Sequence, residues 1–84
     1  MKYKIVFTKQ AVRDAEKIKN AGYKGKVIQL LNIIRENPFE PYEKLLGDLS
    51  GYYSRRINIQ YRLVYMVLEE EKTVKVIRMW THYD

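Results

Sequence analysis

The sequence predicts a small α+β domain of order β-α-α-β-β-β, in which an antiparallel sheet carries a helical hairpin packed on one face. Its 84 residues are too few to build two cores. An alternating, β-rich segment opens the chain and two stretches of helical period follow it. Three further strand-like segments, joined by short connections, close the chain behind a loop rich in Pro and Gly. Residues 1–84 therefore read as a single domain, with no linker, internal repeat or low-complexity tract.

Lys2-Tyr3-Lys4-Ile5-Val6-Phe7 alternates and is built from β-formers, so it reads as the first strand. Thr8 suits the N-cap of a helix in which Ala11, Val12, Ala15 and Ile18 form the apolar stripe and Arg13, Asp14, Glu16, Lys17 and Lys19 the polar face. Asn20-Ala21-Gly22 breaks it. A second helix is expected from near Lys24, with Val27, Leu30, Leu31 and Ile34 at i, i+3, i+4 and i+7, and it must stop before Pro38. From Asn37 to Gly51 the pattern loses period, as a connecting loop does. Tyr52–Gln60, Tyr61–Glu69 and Thr73–His82 then read as strands, the last two separated by Glu70-Glu71-Lys72.

Composition narrows the chemistry. There is no cysteine, which removes a disulfide framework, thiol catalysis and a Cys-based zinc site, and one histidine makes a multi-His metal site a poor reading. No cofactor is expected. The chain shows neither a secretory leader nor an apolar run of membrane-spanning length, so a reducing cytoplasm and no membrane partner are the expectation. The formal net charge is +6, a field that attracts polyanions, nucleic acid first among them. A lysine-rich surface kept soluble by its charge gives the same count. The eight tyrosines suit stacking on single-stranded RNA and suit core packing equally well.

Period two along the last strand puts Val74, Val76, Arg78, Trp80 and His82 on one side and Lys75, Ile77, Met79, Thr81 and Tyr83 on the other, and neither side is purely apolar. One strand earlier, Arg62 stands at the end of an apolar row with Val64, Met66 and Leu68. His82 is the side chain whose ordinary pKa lies near neutrality, which suits acid-base chemistry with a carboxylate partner. Glu40 and Glu43 fall in the irregular loop, where a carboxylate is readily aimed into a cleft. Each of these residues also has a plain reading: a solvated arginine, an inert histidine near a chain end, two loop acids. Nothing in the pattern alone shows that they meet.

A more specific signal lies in Tyr42-Glu43-Lys44-Leu45-Leu46-Gly47-Asp48-Leu49-Ser50-Gly51, followed by Tyr53-Ser54-Arg55-Arg56-Ile57-Asn58, Arg62-Leu63-Val64-Tyr65 and the terminal Trp80-Thr81-His82-Tyr83. With this spacing the chain resembles the Txe/YoeB toxins of the RelE-like superfamily, found in bacterial type II toxin-antitoxin systems. The close resemblance runs from Pro38 to Tyr83; the N-terminal half matches in element order and length.

The resemblance implies a RelE-like fold and a ribosome-dependent, metal-independent endoribonuclease that cuts mRNA in the A site, with the ribosome and its rRNA as partners. It also implies neutralisation by a YefM-type antitoxin and leaves a homodimer open. Position by position, Glu43, Arg62, His82 and Tyr83 match the family's catalytic set. Arg56 matches the second arginine of Ser-Arg-Arg, and with Lys44 it is an expected RNA contact. Two positions depart from the family pattern: Leu46 stands where some members carry lysine, and Asp84 extends past the tyrosine at which some members end. Two rival readings share the fold: a ParE-like gyrase inhibitor, whose family lacks this acid-base set, and a catalytically inactive antitoxin-binding or RNA-binding relative.

Overall fold

The computed structural model describes residues 2–39, 43–44, 52–59 and 61–80, with Glu43, Lys44 and Trp80 placed by their backbone. Strand β1 spans Lys4–Phe7, helix α1 Lys9–Asn20, helix α2 Lys24–Glu36, strand β2 Glu43–Lys44, β3 Tyr53–Arg56, β4 Arg62–Leu68 and β5 Thr73–Trp80. They form one sheet in the order β1-β5-β4-β3-β2. The α+β class and the order of helices and main strands are those the sequence predicts. Strands β2 to β5 pair antiparallel, but β1 joins β5 in parallel, so the sheet is mixed. Antiparallel sense is imposed where a short turn joins neighbours. No such turn joins β1 to β5, and the chain between them includes both helices.

Helix α1 starts at Thr8, whose hydroxyl oxygen accepts from the Ala11 N–H at 3.0 Å and so satisfies one of the free first-turn donors. Lys17 and Lys19 sit in its last turn, where the helix dipole favours cations. It ends where Gly22 takes φ +93°. That left-handed residue lets the Gly22 and Tyr23 amides fold back onto the Lys19 and Ile18 carbonyls. Helix α2 buries Val27, Leu30 and Ile34, and α1 buries Ala11 and Ile18; together they pack on Leu63, Tyr65, Val74, Val76 and Met79. Two helical positions differ from expectation. Val12 is exposed, and Asp14, assigned above to the polar face, is buried. Its spacing from Ala11 and Ile18 is i+3 and i−4, so geometry puts it on the inward stripe whatever its polarity.

Three further differences arise in the sheet. The segment read as pure loop contains β2, whose Glu43 and Lys44 pair with Ser54 and Tyr53. The segment read as a strand to Gln60 leaves the ladder at Arg56, because Asn58 organises a turn: its side-chain oxygen accepts from the Tyr61 N–H at 2.6 Å, while the Ile57 N–H donates to the Tyr61 carbonyl at 2.9 Å. In β5 the simple alternation fails. Tyr65 pairs with Val76 but Val64 pairs with Arg78, leaving Ile77 as the extra residue of a β-bulge. The bulge reverses the parity, so Met79 lies on the core side with Val74 and Val76. Arg78 and Trp80 fall in register with Val64 and Arg62.

The far turn, between β4 and β5, is a single 3-10 turn at Glu69–Glu71 closed by Lys72 at φ 49°. The Lys72 ammonium donates to Glu69 Oε2 at 2.9 Å and lies 5.2 Å from the centre of the Tyr3 ring; the Tyr3 hydroxyl donates to Glu69 Oε1 at 2.8 Å. Hydrogen bonds from Lys72 and then Tyr3 hold the Glu69 carboxyl below its ordinary pKa. A depressed folded-state pKa adds stability above the unfolded carboxylate range, and that stability is lost as pH falls through the lowered value.

Two predictions follow from the packing. Ile34 is fully buried, so Ile34→Ala is expected to cost about 2–5 kcal/mol, read as a lower denaturant midpoint at unchanged slope. For Glu69→Gln, the destabilisation at neutral pH should shrink steadily as the pH is taken down through the acidic range in paired thermal melts. A difference that grows on acidification would contradict the assigned role.

Candidate functional site

Four of the residues singled out by the sequence, Glu43, Lys44, Arg56 and Arg62, lie on the strands farthest from β1. The Asn58 turn holds β3 against β4 so that Arg56 stands directly opposite Arg62, and Arg62 in turn stands opposite Trp80 of β5. The next row runs from Glu43 in β2 through Ser54 and Val64 to Arg78. Cross-strand partners share a face of the sheet, so Ser54, Arg56, Arg62 and Val64 share one side while Leu63 and Tyr65 point to the helices. Arg62 Nη1 donates to Ser54 Oγ at 3.4 Å, a long hydrogen bond that ties the two rows together.

Electrostatically this corner is unusual for a sheet. Like charges placed directly opposite one another destabilise a strand pair, yet Arg56 and Arg62 are so placed. Arg56 is exposed and Arg62 half-buried, so one guanidinium is free to turn to solvent while the other is held against the strand. A phosphate is the natural counter-charge for two adjacent planar guanidinium forks.

The arrangement puts Arg56, Arg62 and the backbone position of Glu43 on three neighbouring strands, Glu43 two strands from Arg62. Lys44 is next to Glu43 in β2 and opposite Tyr53, in the neighbouring register position. His82 and Tyr83 lie outside the described residues, as do Leu46, Asp84 and Glu40. In the sequence, His82 and Tyr83 stand two and three residues after Trp80, the partner of Arg62. Among the described residues, no group of three His, Cys, Asp or Glu side chains is placed to hold a metal ion.

Sequence reasoning missed two contributors. Ser54 is fully buried and receives the Arg62 hydrogen bond; a serine inside a strand beside two arginines was the available signal. The other is a string of rings leading to the loop before β2: Tyr65 stacks on Tyr53 at 5.7 Å, Tyr53 meets Phe39 at 5.8 Å, and the buried Tyr65 hydroxyl donates to the Pro38 carbonyl. These contacts hold the start of that loop at the same end of the sheet. A separate, open apolar groove of about 290 Å³ lies between the helices and the end of β1, lined by Phe7, Val12, Ala15, Val27 and Ile28, with Glu16, Lys19 and Lys24 at its rim. None of the candidate residues lines it. No described helix is long and apolar enough to cross a membrane.

Comparison with known proteins places this geometry. Residues 7–83 match the family model described as YoeB-like toxin of bacterial type II toxin-antitoxin system. The curated toxin YoeB of Mycobacterium bovis is 39% identical over 61 residues, 69% of each chain. Toxin YoeB of Escherichia coli K12 is 38% identical over 61 residues, covering 69% of this chain and 70% of the relative. Among solved structures, a YoeB/ParE toxin from Agrobacterium tumefaciens superposes with TM-score 0.86 at 33% identity, over 95% of this chain and 99% of that one. The toxin in a Staphylococcus aureus YoeB-YefM complex gives 0.78 at 35%, over 99% and 100%. The S. aureus YoeB dimer gives 0.82 at 34%, with the same coverage. Matched over residues 7–83 and superposing on solved relatives over nearly its whole length, the chain belongs to the family of YoeB-like toxins of bacterial type II toxin-antitoxin systems.

Proposed function

We propose that the protein is a ribosome-dependent mRNA endoribonuclease acting in the bacterial cytoplasm, and that the corner formed by β2, β3 and β4 is where RNA is cut. The observation that supports this most is the Arg56–Arg62 pair: two guanidiniums set opposite each other, one tied to Ser54, in a row neighbouring Glu43. The family membership supplies the toxin context, and the +6 net charge suits approach to a polyanion.

RNA carries its own nucleophile. Removing the proton from a 2′-hydroxyl lets that oxygen attack the adjacent phosphorus, and the bond to the 5′-oxygen of the next nucleotide breaks. The protein must then supply a base, a counter-charge for the pentavalent phosphorane and an acid for the departing oxygen. Glu43 takes the base role. Arg62, fixed by Ser54, donates in a planar fork to the non-bridging oxygens as negative charge builds there, and Arg56 holds the adjoining phosphate. His82 as imidazolium gives its proton to the 5′-oxygen, and Tyr83 stacks on or orients the nucleotide at the cut. Lys44 adds positive charge beside Glu43. The products are a 2′,3′-cyclic phosphate and a 5′-hydroxyl, reached without a metal or cofactor. The ribosome's part is to present mRNA in a fixed conformation, so that this small site needs to bind little of the RNA itself.

A YefM-type antitoxin is the proposed protein partner, as in the S. aureus complex, and the S. aureus dimer makes self-association a reading to test alongside it. The A. tumefaciens relative carries the double description YoeB/ParE, which keeps gyrase inhibition as the second reading. Intact mRNA together with altered DNA supercoiling on expression would favour it.

Primer extension on a defined mRNA in a reconstituted translation mixture tests the main reading. Cuts should require ribosomes, and Glu43→Ala or His82→Ala should each slow cleavage by about 10²- to 10⁴-fold. Arg62→Ala should lose about 10²- to 10³-fold as a charge-stabilising group. Uncut mRNA with folded wild-type protein present, or mutants as active as wild type, would contradict it. For the partner, tagged protein expressed in its native host at non-toxic levels should retain a YefM-type protein in stoichiometric amount, identified by mass spectrometry. Recovery of the tagged chain alone would contradict that assignment.

A further inference from the structure

The buried carboxylate of Asp14 is left unexplained by the cleavage scheme. It is 4% exposed, lies on the inward face of α1, and is the only buried carboxylate among the described residues. Two of its three bonds run to β5. Oδ2 accepts from the Met79 backbone N–H at 3.0 Å and from Arg78 Nε at 3.4 Å, while Oδ1 accepts from Gln10 Nε2 at 2.9 Å. One turn earlier, Thr8 donates its N–H to the Val76 carbonyl at 3.1 Å and its hydroxyl to the Ile77 carbonyl at 2.8 Å. Thus α1 and its cap satisfy backbone groups at three of the four residues from Val76 to Met79, the stretch in which β5 bulges and loses its partner β1, whose last pair is Phe7 with Val76.

The bulge is what puts Arg78 and Trp80 in register with Val64 and Arg62. A one-residue slip would reverse the facing of every later residue of the strand. We propose that Asp14, remote from the RNA, is a positioning residue for cleavage: by holding the Met79 N–H and Arg78 it fixes the bulged register of β5 that sets Trp80 opposite Arg62. The proposal rests on the endoribonuclease reading. It assigns to a helix on the opposite face of the sheet control over the alignment of the strand beside Arg62, and an ångström of misalignment is enough to slow a reaction by about 10²-fold.

Asp14→Ala, Asp14→Asn and Ile34→Ala are compared with wild type in single-turnover cleavage of ribosome-bound mRNA, each below its own melting temperature, and by ¹⁵N NMR of the free protein. Asp14→Ala should lose about 10²-fold in rate at saturating ribosomes with little change in the half-saturating ribosome concentration. It should also displace the Trp80 and His82 amide signals. Asp14→Asn, which keeps a carbonyl oxygen for the Met79 N–H, should recover most of that rate. Ile34→Ala, destabilised in the core but intact at β5, should cut at the wild-type rate. Wild-type cleavage by Asp14→Ala, an equal loss in Ile34→Ala, or unmoved Trp80 and His82 signals would each overturn the proposal. Displaced signals in a protein whose wild type never cuts RNA would instead overturn the endoribonuclease reading and leave the anchoring of β5 standing.

Discussion

Strand β5 has to serve two masters, and the hydrogen bonds that α1 makes to its bulge reconcile them. Its first half is a core strand, paired on both sides, with Val74 and Val76 fully buried under the helices. Its second half extends beyond β1 and leads to the chain's one histidine. A strand that loses a neighbour exposes backbone donors and acceptors, and leaving them unmet in a partly buried place costs roughly 1–3 kcal/mol each. Thr8 and Asp14 meet them from the helix side. The same bonds make the bulge the favoured arrangement, and the bulge decides which face the end of the strand presents.

Against that anchored half, the opposite end of the sheet accepts a local penalty. Arg56 and Arg62 face each other across β3 and β4 where an oppositely charged or aromatic pair would be more stable. The Asn58 turn on one side and the Tyr53–Tyr65 stack three positions along keep the two strands in register, and the Ser54 hydroxyl holds Arg62. Positive charge preorganised in this way loses little freedom when a phosphate arrives, which is the condition under which guanidiniums stabilise a transition state most. The arrangement fits the proposed role, in which the ribosome presents the substrate and the protein contributes mainly a rigid set of groups.

Much of this was legible in the residues. The helical stripes from Ala11 to Ile18 and from Val27 to Ile34, the Thr8 cap and the Gly22 stop follow from period and turn chemistry, and the structure reproduces them. Arg62 and Arg56 stand out through their motif context, and the structure sets them opposite each other. Other features were not legible, each for a physical reason. Asp14 carries a charge and so was assigned to water, although its spacing placed it inward; only the orphaned amide of Met79 explains why a carboxylate belongs there. The bulge at Ile77 left a trace, since neither face of the last strand was apolar throughout, but a single-residue insertion cannot be located from alternation alone. The parallel pairing of β1 with β5 is a long-range choice that no local signal encodes. The short strand Glu43–Lys44 has too few residues to show a period.

The likeness to YoeB toxins from Agrobacterium tumefaciens and Staphylococcus aureus spans nearly the whole chain, so the fold and family rest on the entire sheet and not on one motif. The proposed cleavage divides the labour between an arginine-bearing corner for the phosphate and a helix-clamped β5 beside it. Its central step is that RNA is cut by its own 2′-hydroxyl under acid-base control, and the chemistry of the cut ends reports on that most directly. Fragments released from ribosome-bound mRNA by the purified protein should carry a 2′,3′-cyclic phosphate upstream and a 5′-hydroxyl downstream, read by end-specific ligation and mass spectrometry. A 3′-hydroxyl paired with a 5′-phosphate would mean that water, not the RNA, was the nucleophile, and would contradict the account.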